Sequence, residues 1–403
     1  MNFSCNPGSL ARLKRRRRFW LQCHLWLGLT LGLILAIAGI TGSILVFWQE
    51  LDAWLNPALR LTQYSPSQPQ HYRPVAEIIE AARSAYPTGT QPGIAEFRRV
   101  GEQSAVMFFG RDMGKSPSET NIYNVFVDPY SAKVLGVRLF YDADNPLKHA
   151  LMGFVFKLHY AFLMKDTART VIGWVCAVLL VSVLSGLILW WPLTGQWRKA
   201  LTFRLGANST RFNFDLHKIV GLYTALVLLA VLFSGTYLNL PEQVLSVVRL
   251  FTPDSHAVFS STEPNESAHS LQPDAVLEVV EARYPNSQLL TMIIPVNPKA
   301  VYKICHRDSH SLREHWIQER CVVVDQYSGA ILNIEDAESA SAGDIFLQWQ
   351  WYIHSGQAFG ITGRLLVFVT GFACPVLFVT GLIRWLQKRR AANQHQAKQY
   401  AAN

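Results

Sequence analysis

Residues 14–48 read KRRRRFWLQCHLWLGLTLGLILAIAGITGSILVFW. Five consecutive cations, Lys14 to Arg18, give way to about thirty residues without Asp, Glu, Lys or Arg, whereas roughly twenty apolar residues in a helix already cross the hydrocarbon core of a bilayer. A cleavable secretory leader has a much shorter apolar core, so Phe19 to Trp48 reads as a retained membrane helix. The same test finds three more spans, Val171 to Pro192, Ile219 to Leu240 and Ile361 to Leu386. Half of the 403 residues are hydrophobic and only 16% are charged, which excludes a soluble globular protein.

The net charge of +9 would suit nucleic acid if it lay on a polar domain. It borders the spans instead: Lys14 to Arg18, then Arg198, Lys199, Arg204 and Arg211, then Lys388 to Arg390. Such flanks report topology, and no nucleic-acid partner is expected. The positive-inside rule puts the basic N-terminus (1–18), the loop 193–216 and the tail 387–403 in the cytoplasm. The long stretches 51–150 and 241–350 then lie outside, too large to be connecting loops.

The chain also resembles itself. His24-Leu-Trp-Leu-Gly28 is followed by Thr41-Gly42, and His217-Lys-Ile-Val-Gly221 by Ser234-Gly235, with eighteen residues from His to the second Gly in both. Leu158-His159 with Arg169, Ser185-Gly186 and Trp190 recurs as Ile353-His354 with Arg364, Thr380-Gly381 and Trp385. Outside the membrane, Glu77-Ile-Ile-Glu-Ala with Tyr86-Pro87 recurs at Val276 to Ala282 with Tyr284-Pro285, and Val127-Asp-Pro-Tyr-Ser131 at Val324 to Ser328. The expected fold is therefore a membrane protein with four transmembrane α-helices in a bundle, built from a duplicated helix–α+β domain–helix unit. In order these are a span at 19–48, an outside domain at 51–150, an interfacial segment and span at 151–192, a span at 217–240, an outside domain at 241–350 and a final interfacial segment and span at 351–386. Val75, Ile78, Ile79 and Ala82 sit at helical spacing, and 121–127 and 316–324 alternate like strands, so each outside domain reads as a small sheet packed on one helix.

An ionisable side chain in or beside a span is costly and implies a partner. His24 and His217 begin the two outward-going helices, and His159 and His354 precede the two returning ones. Two opposed imidazoles at each of two depths is what bis-histidine b-type haem requires, so His24 with His217 and His159 with His354 are the candidate ligands of two haems. Gly28, Gly42, Gly186, Gly221, Gly235 and Gly381 would admit a flat macrocycle, or else permit close helix packing. His149 has no counterpart, since position 344 is Asp344. Cys305, His306, His310 and His315 resemble a metal cluster in composition only, whereas Cys305 and Cys321 flank a hairpin and suit a disulfide in an oxidising compartment. Cys23, Cys176 and Cys374 read as buried small residues. No GxGxxG, Walker A, HExxH or GxSxG motif is present, so electrons must come from an external donor, quinol or a reductase.

These residues resemble the PepSY-associated transmembrane-helix family, which includes iron-regulated inner-membrane proteins and ferric-siderophore reductases. The resemblance rests on His24-Leu-Trp-Leu-Gly-Leu, Gly39-Ile-Thr-Gly-Ser-Ile, Leu158-His-Tyr-Ala-Phe-Leu, Leu184-Ser-Gly-Leu-Ile-Leu-Trp-Trp191 and their later copies. It implies a bacterial inner-membrane protein with two PepSY domains in the periplasm, haem b in the bundle and a ferric siderophore as electron acceptor. The acceptor is expected between the two outside domains, where Lys148, Lys157, Arg169 and Arg364 would attract an anion or anchor the interface. The rival readings are a peptide- or peptidase-binding membrane protein without enzymatic activity, and a transporter of siderophore or metal. Against transport, the acidic residues nearest the spans (Glu50, Asp52, Asp166 and Asp215) all lie at helix ends.

Overall fold

The structure, a computed structural model, describes residues 7–402 apart from 63–70, 98–103, 113–119, 146, 148–149, 165, 193–194, 205–207, 253–259, 263–268, 286, 309–318 and 337–339. Lys148, His149, His310 and His315 fall outside the described residues.

The elements in chain order are α1 (Pro7–Val46), α2 (Trp48–Leu55), α3 (Pro57–Arg60), α4 (Val75–Ala85), β1 (Thr90–Glu96), β2 (Val106–Asp112), β3 (Ile122–Val127), β4 (Val134–Tyr141), α5 (Leu151–Ala161), α6 (Asp166–Trp190) and α7 (Trp197–Leu201). They continue with α8 (Ser209–Asn239), α9 (Pro241–Val248), α10 (Pro273–Arg283), β5 (Ser287–Ile293), β6 (Tyr302–Asp308), β7 (Arg320–Val324), β8 (Ile331–Glu335), α11 (Ala342–Ser355) and α12 (Gly360–Ala402).

Four helices are long and apolar enough to cross a membrane, at Arg15–Val46, Thr167–Trp190, Ser209–Asn239 and Gln357–Ala397. α1 and α8 each pack on both α6 and α12 and so face one another diagonally across a four-helix bundle. One end of the bundle carries Arg15–Arg18, Arg198, Arg211 and Lys388–Arg390; the other carries the sheet. α12 runs unbroken through Pro375. Proline has no N–H, so the carbonyl four residues earlier, on Gly371, lacks its helical donor. That carbonyl lies against Gly39 of α1, where a Cβ would stand 2.5 Å from the oxygen, a contact that only small residues permit.

Helix–four-strand segments occur twice, and all eight strands join one antiparallel sheet in the order β4-β3-β2-β1-β5-β6-β7-β8. This corrects the expectation of two small separate sheets. β1 pairs with β5 through Ile94–Ile293, Ala95–Met292 and Glu96–Thr291. Each four-stranded meander would otherwise leave its first strand as an open edge, and pairing the two edges satisfies both. α4 and α10 cover one face and share a core, with Ile78, Ile79, Ala82, Val276 and Val280 packed on Phe108, Val125, Met292, Ile304 and Val322. Pro74 supplies no side-chain cap to α4. Asp274 at the start of α10 does so instead, accepting from the amides of Val75 (2.6 Å) and Ala76 (2.7 Å), where the helix dipole also favours a carboxylate.

The Val-Asp-x-Tyr-Ser stretches are Asx turns that close β3–β4 and β7–β8, with Asp128 accepting from the Tyr130 amide and Asp325 from those of Tyr327 and Ser328. Burial alone would raise the Asp325 carboxyl, but bonds from Ser328, Thr262 and Tyr327 outweigh it and hold it down to about 2.

The opposite face meets the bundle unevenly. Asp52 of α2, almost completely buried, accepts two bonds from Arg138 of β4 (2.7 and 3.1 Å) and lies 3.6 Å from Arg60. Trp48, Phe156, Phe140 and Phe109 stack edge to face or tilted beside this network. In the second half α11 reaches the sheet through Gln348 Nε2 to the Glu319 carbonyl at 3.4 Å.

The interfacial segments are separate helices rather than extensions of the spans. α5 stops where Phe162 and Leu163 take positive φ (50° and 61°), and α11 stops at Gly356 (φ 76°). At Gly356 a Cβ would also meet the Gly363 carbonyl oxygen at 2.5 Å, so glycine is required there on two counts.

Candidate cofactor site of two facing histidine pairs

The four histidines come together in the predicted pairs. The rings of His24 (α1) and His217 (α8) have centres 6.1 Å apart at the basic end, and those of His159 (α5) and His354 (α11) are 6.0 Å apart at the sheet end. The rings are crossed at 78° and 60° and are not stacked.

Each ring leans on a neighbouring helix in the same way. His159 Nδ1 lies 3.0 Å from the Ala38 carbonyl and 3.1 Å from Thr41 Oγ1. His24 Nδ1 lies 2.9 Å from the Ser182 carbonyl and 3.3 Å from Ser185 Oγ. His354 Nδ1 lies 3.1 Å from the Val231 carbonyl and 3.0 Å from Ser234 Oγ. His217 Nδ1 lies 2.9 Å from Thr380 Oγ1, with the Leu377 carbonyl near the ring. In every case the carbonyl stands three residues before the hydroxyl, and a glycine follows the hydroxyl. A Cβ on Gly42, Gly186, Gly235 or Gly381 would meet the imidazole Cε1 at 2.9, 3.0, 3.2 and 3.4 Å respectively.

The sequence offers these Ser/Thr-Gly dipeptides as clearance for a macrocycle or as close packing; in the structure each of these four glycines makes room for a histidine ring. Gly28 has no heavy atom near its would-be Cβ, and Gly221 has only Leu377 at 3.5 Å. The hydroxyl partners Thr41, Ser185, Ser234 and Thr380 were missed, although their recurrence beside each glycine was the available signal.

Ala38, which supports the sheet-end pair, lies fourteen residues beyond His24 on α1, about 21 Å at helical rise. Leu31 and Leu35, with Leu179, Leu228, Leu232 and Cys374, fill the bundle between the two levels. Among the described residues no carboxylate bonds either pair, and the Nδ1 partners fix the rings while leaving the other nitrogen available.

This donor set fits an iron porphyrin. Two imidazole nitrogens at roughly 2 Å from a metal, each roughly 1.1 Å from its ring centre, place the ring centres roughly 6 Å apart. The crossed rings, the hydrogen bonds at Nδ1 and the apolar surroundings suit the same group.

Of the cations expected to attract an anion or anchor the interface, the three described ones have partners within the chain. Arg169 donates to the Leu238 carbonyl at 2.6 Å; Arg364 donates to the Val46 carbonyl at 2.8 Å and pairs with Glu50 at 2.6 Å. Both thus tie down the last turn of a neighbouring span. Lys157 is buried over the rings of Tyr141 and Tyr160. The boundary between the two outside stretches is crossed by the β1–β5 ladder at Ile94–Glu96. An open cavity of about 240 Å³ lies where the end of α1 and the start of α2 meet the start of α12, lined by Val46, Trp48, Gln49, Glu50, Gln357, Gly360, Ile361 and Arg364.

Cys305 and Cys321 stand opposite each other on β6 and β7, with Cα atoms 4.0 Å apart, and are joined by a disulfide. Glu319 is close enough to complete a three-ligand group with them, but sulfurs bonded to each other offer no thiolate. His306 is buried against Tyr284, ring centres 4.8 Å apart.

A family model described as "PepSY-associated TM region" matches residues 21–388. No curated protein sequence matches the chain.

Proposed function

The chain belongs to the PepSY-associated TM family, and on that premise we propose that it is a haem-carrying electron-transfer protein of the bacterial inner membrane that reduces ferric siderophores in the periplasm. The observation that carries this reading is the pair of facing histidine couples, alike in spacing and support, set at two depths of one bundle. His24 with His217 would hold one haem b near the cytoplasm, and His159 with His354 a second near the periplasm. Bound haem supplies one-electron chemistry at neutral pH without a nucleotide site, which the sequence lacks. The leucine-rich layer between the levels keeps water and ions out of the path. The stretches of the four spans between the two levels contain no Asp, Glu, Lys or Arg, which speaks against a substrate channel.

The same proposal includes the topology and the origin of the chain. The basic end is cytoplasmic by the positive-inside rule, the two α+β stretches are PepSY-like and periplasmic, and the whole is a duplicated unit whose copies fused their sheets. An external donor, quinol or a reductase, delivers electrons at the basic end. Reduction releases the metal because ferrous iron is a weaker partner than ferric iron for hard oxygen chelators.

The test is to reduce the purified protein anaerobically and add ferric siderophores while following the haem bands and the capture of ferrous iron by a chromogenic chelator. Reoxidation that keeps pace with ferrous capture supports the reading. Haem that stays reduced with every siderophore, while small oxidants still react, rejects the acceptor.

A further inference from the structure

Nδ1 meets a carbonyl and a hydroxyl in His24, His159 and His354 and the Thr380 hydroxyl in His217, and these hydrogen bonds leave a single assignment for its proton. A carbonyl only accepts. A hydroxyl can donate, but here its one hydrogen has a partner within its own helix. Thr41 donates to the Ile37 carbonyl at 2.8 Å, Ser185 to Ser182 at 2.7 Å, Ser234 to Ala230 at 2.8 Å and Thr380 to Val376 at 2.6 Å. With that hydrogen engaged, the oxygen offers the ring a lone pair. Nδ1 must therefore carry the proton in all four rings, and Nε2 is the bare nitrogen.

We infer that Thr41, Ser185, Ser234 and Thr380 are positioning residues that fix the tautomer of the four histidines and, by accepting from Nδ1–H, set the reduction potential of whatever iron those histidines hold. The inference rests on the haem reading above and names the groups that tune it. A hydroxyl accepting from Nδ1–H makes the imidazole a stronger electron donor, which favours ferric over ferrous iron. Each pair is served by one threonine and one serine, so the two levels are tuned by like sets and each can be altered alone. The glycine after each hydroxyl keeps the ring close enough for the bond, which explains why the dipeptide, and not the hydroxyl alone, recurs.

The experiment is a redox titration of the full chain, followed by absorbance and by electron paramagnetic resonance. Thr41→Val keeps the shape of the side chain and removes the acceptor. It should raise the midpoint of the sheet-end haem by up to a tenfold change in its equilibrium, about 59 mV for a one-electron couple, and leave the basic-end haem unmoved. Thr41→Ser should restore the original value. Thr380→Val and Thr380→Ser should do the same at the basic end. Should Thr41→Val lose pigment, Ser234→Ala removes an oxygen from the same site with less change of volume and is read in the same way. Unchanged midpoints and an unchanged resonance spectrum in Thr41→Val and Ser234→Ala that retain haem would overturn the inference while leaving the haem reading intact. Wild-type protein without haem would overturn both.

Discussion

The basic-end and sheet-end histidine pairs have nearly equal ring separations, yet different elements carry them. His24 and His217 sit on α1 and α8, spans that pack along their length against α6 and α12, so packing the bundle is enough to form that pair. His159 and His354 sit on α5 and α11, short helices cut from the following spans by left-handed residues. Their pair forms only when both helices dock on α1 and α8. α5 is held further by the sheet, since Gly153 lies against the Phe140 carbonyl and the Ala150 amide donates to Leu139 at 3.3 Å. One pair thus belongs to the membrane part alone, while the other joins the membrane part to the sheet.

The largest effects expected from this difference come from removing a ligand. His24→Ala or His217→Ala should abolish one low-spin haem and keep the other, about half the pigment, and His159→Ala or His354→Ala should do the reverse. Full pigment in any of the four would break the comparison at its base.

A smaller effect separates the ends without touching a ligand. Asp52→Ala leaves Arg138 and Arg60 buried without their carboxylate, a loss of about 3–5 kcal/mol for a buried pair. Thermal bleaching should then begin earlier at the sheet-end haem than at the basic-end haem; equal bleaching of both would show that the sheet does not brace α5.

Breaking the Cys305–Cys321 bridge acts on the sheet and on neither pair. Its sixteen-residue separation suggests a loss of about 3 kcal/mol in Cys305→Ser, seen as easier proteolysis of the second α+β stretch with haem content unchanged. Peptide mapping without reductant checks the bridge, and two freely alkylated thiols would reject it.

The smallest effects form a series. Gly42→Ala, Gly186→Ala, Gly235→Ala and Gly381→Ala crowd the imidazole at 2.9, 3.0, 3.2 and 3.4 Å, so the cost should fall from about 1–3 kcal/mol for the first, as for an overpacked core, to almost nothing for the last. Haem retention across the four variants reads it, and no ordering would mean that the rings have room to shift.

The spans were legible because apolar length is a local property, and the histidine pairs because internal resemblance put four ionisable residues at two matched depths. Helix α4 followed from the spacing of Val75, Ile78, Ile79 and Ala82, and α10 from its resemblance to that stretch. The joining of β1 to β5 was not legible, since it matches residues about two hundred positions apart and nothing in Ile94 or Ile293 names its partner. The role of the Ser/Thr-Gly dipeptides was half visible: their recurrence showed in the sequence, but which ring fills the space beside a glycine depends on how the helices are brought together. Arg169 and Arg364 were open to two readings, anion attraction or anchoring, for a related reason. Charge is read from sequence, whereas the free carbonyl at the end of a neighbouring span is not.

The seam between β1 and β5 limits how the molecule can move. For one half to rock against the other, as a carrier must, the ladder at Ile94–Glu96 would have to tear and the α4–α10 core would have to open to water, with Asp274 leaving the amides it caps. The sheet acts as a clasp over the bundle, and any rocking of one half against the other is opposed along the whole of that seam.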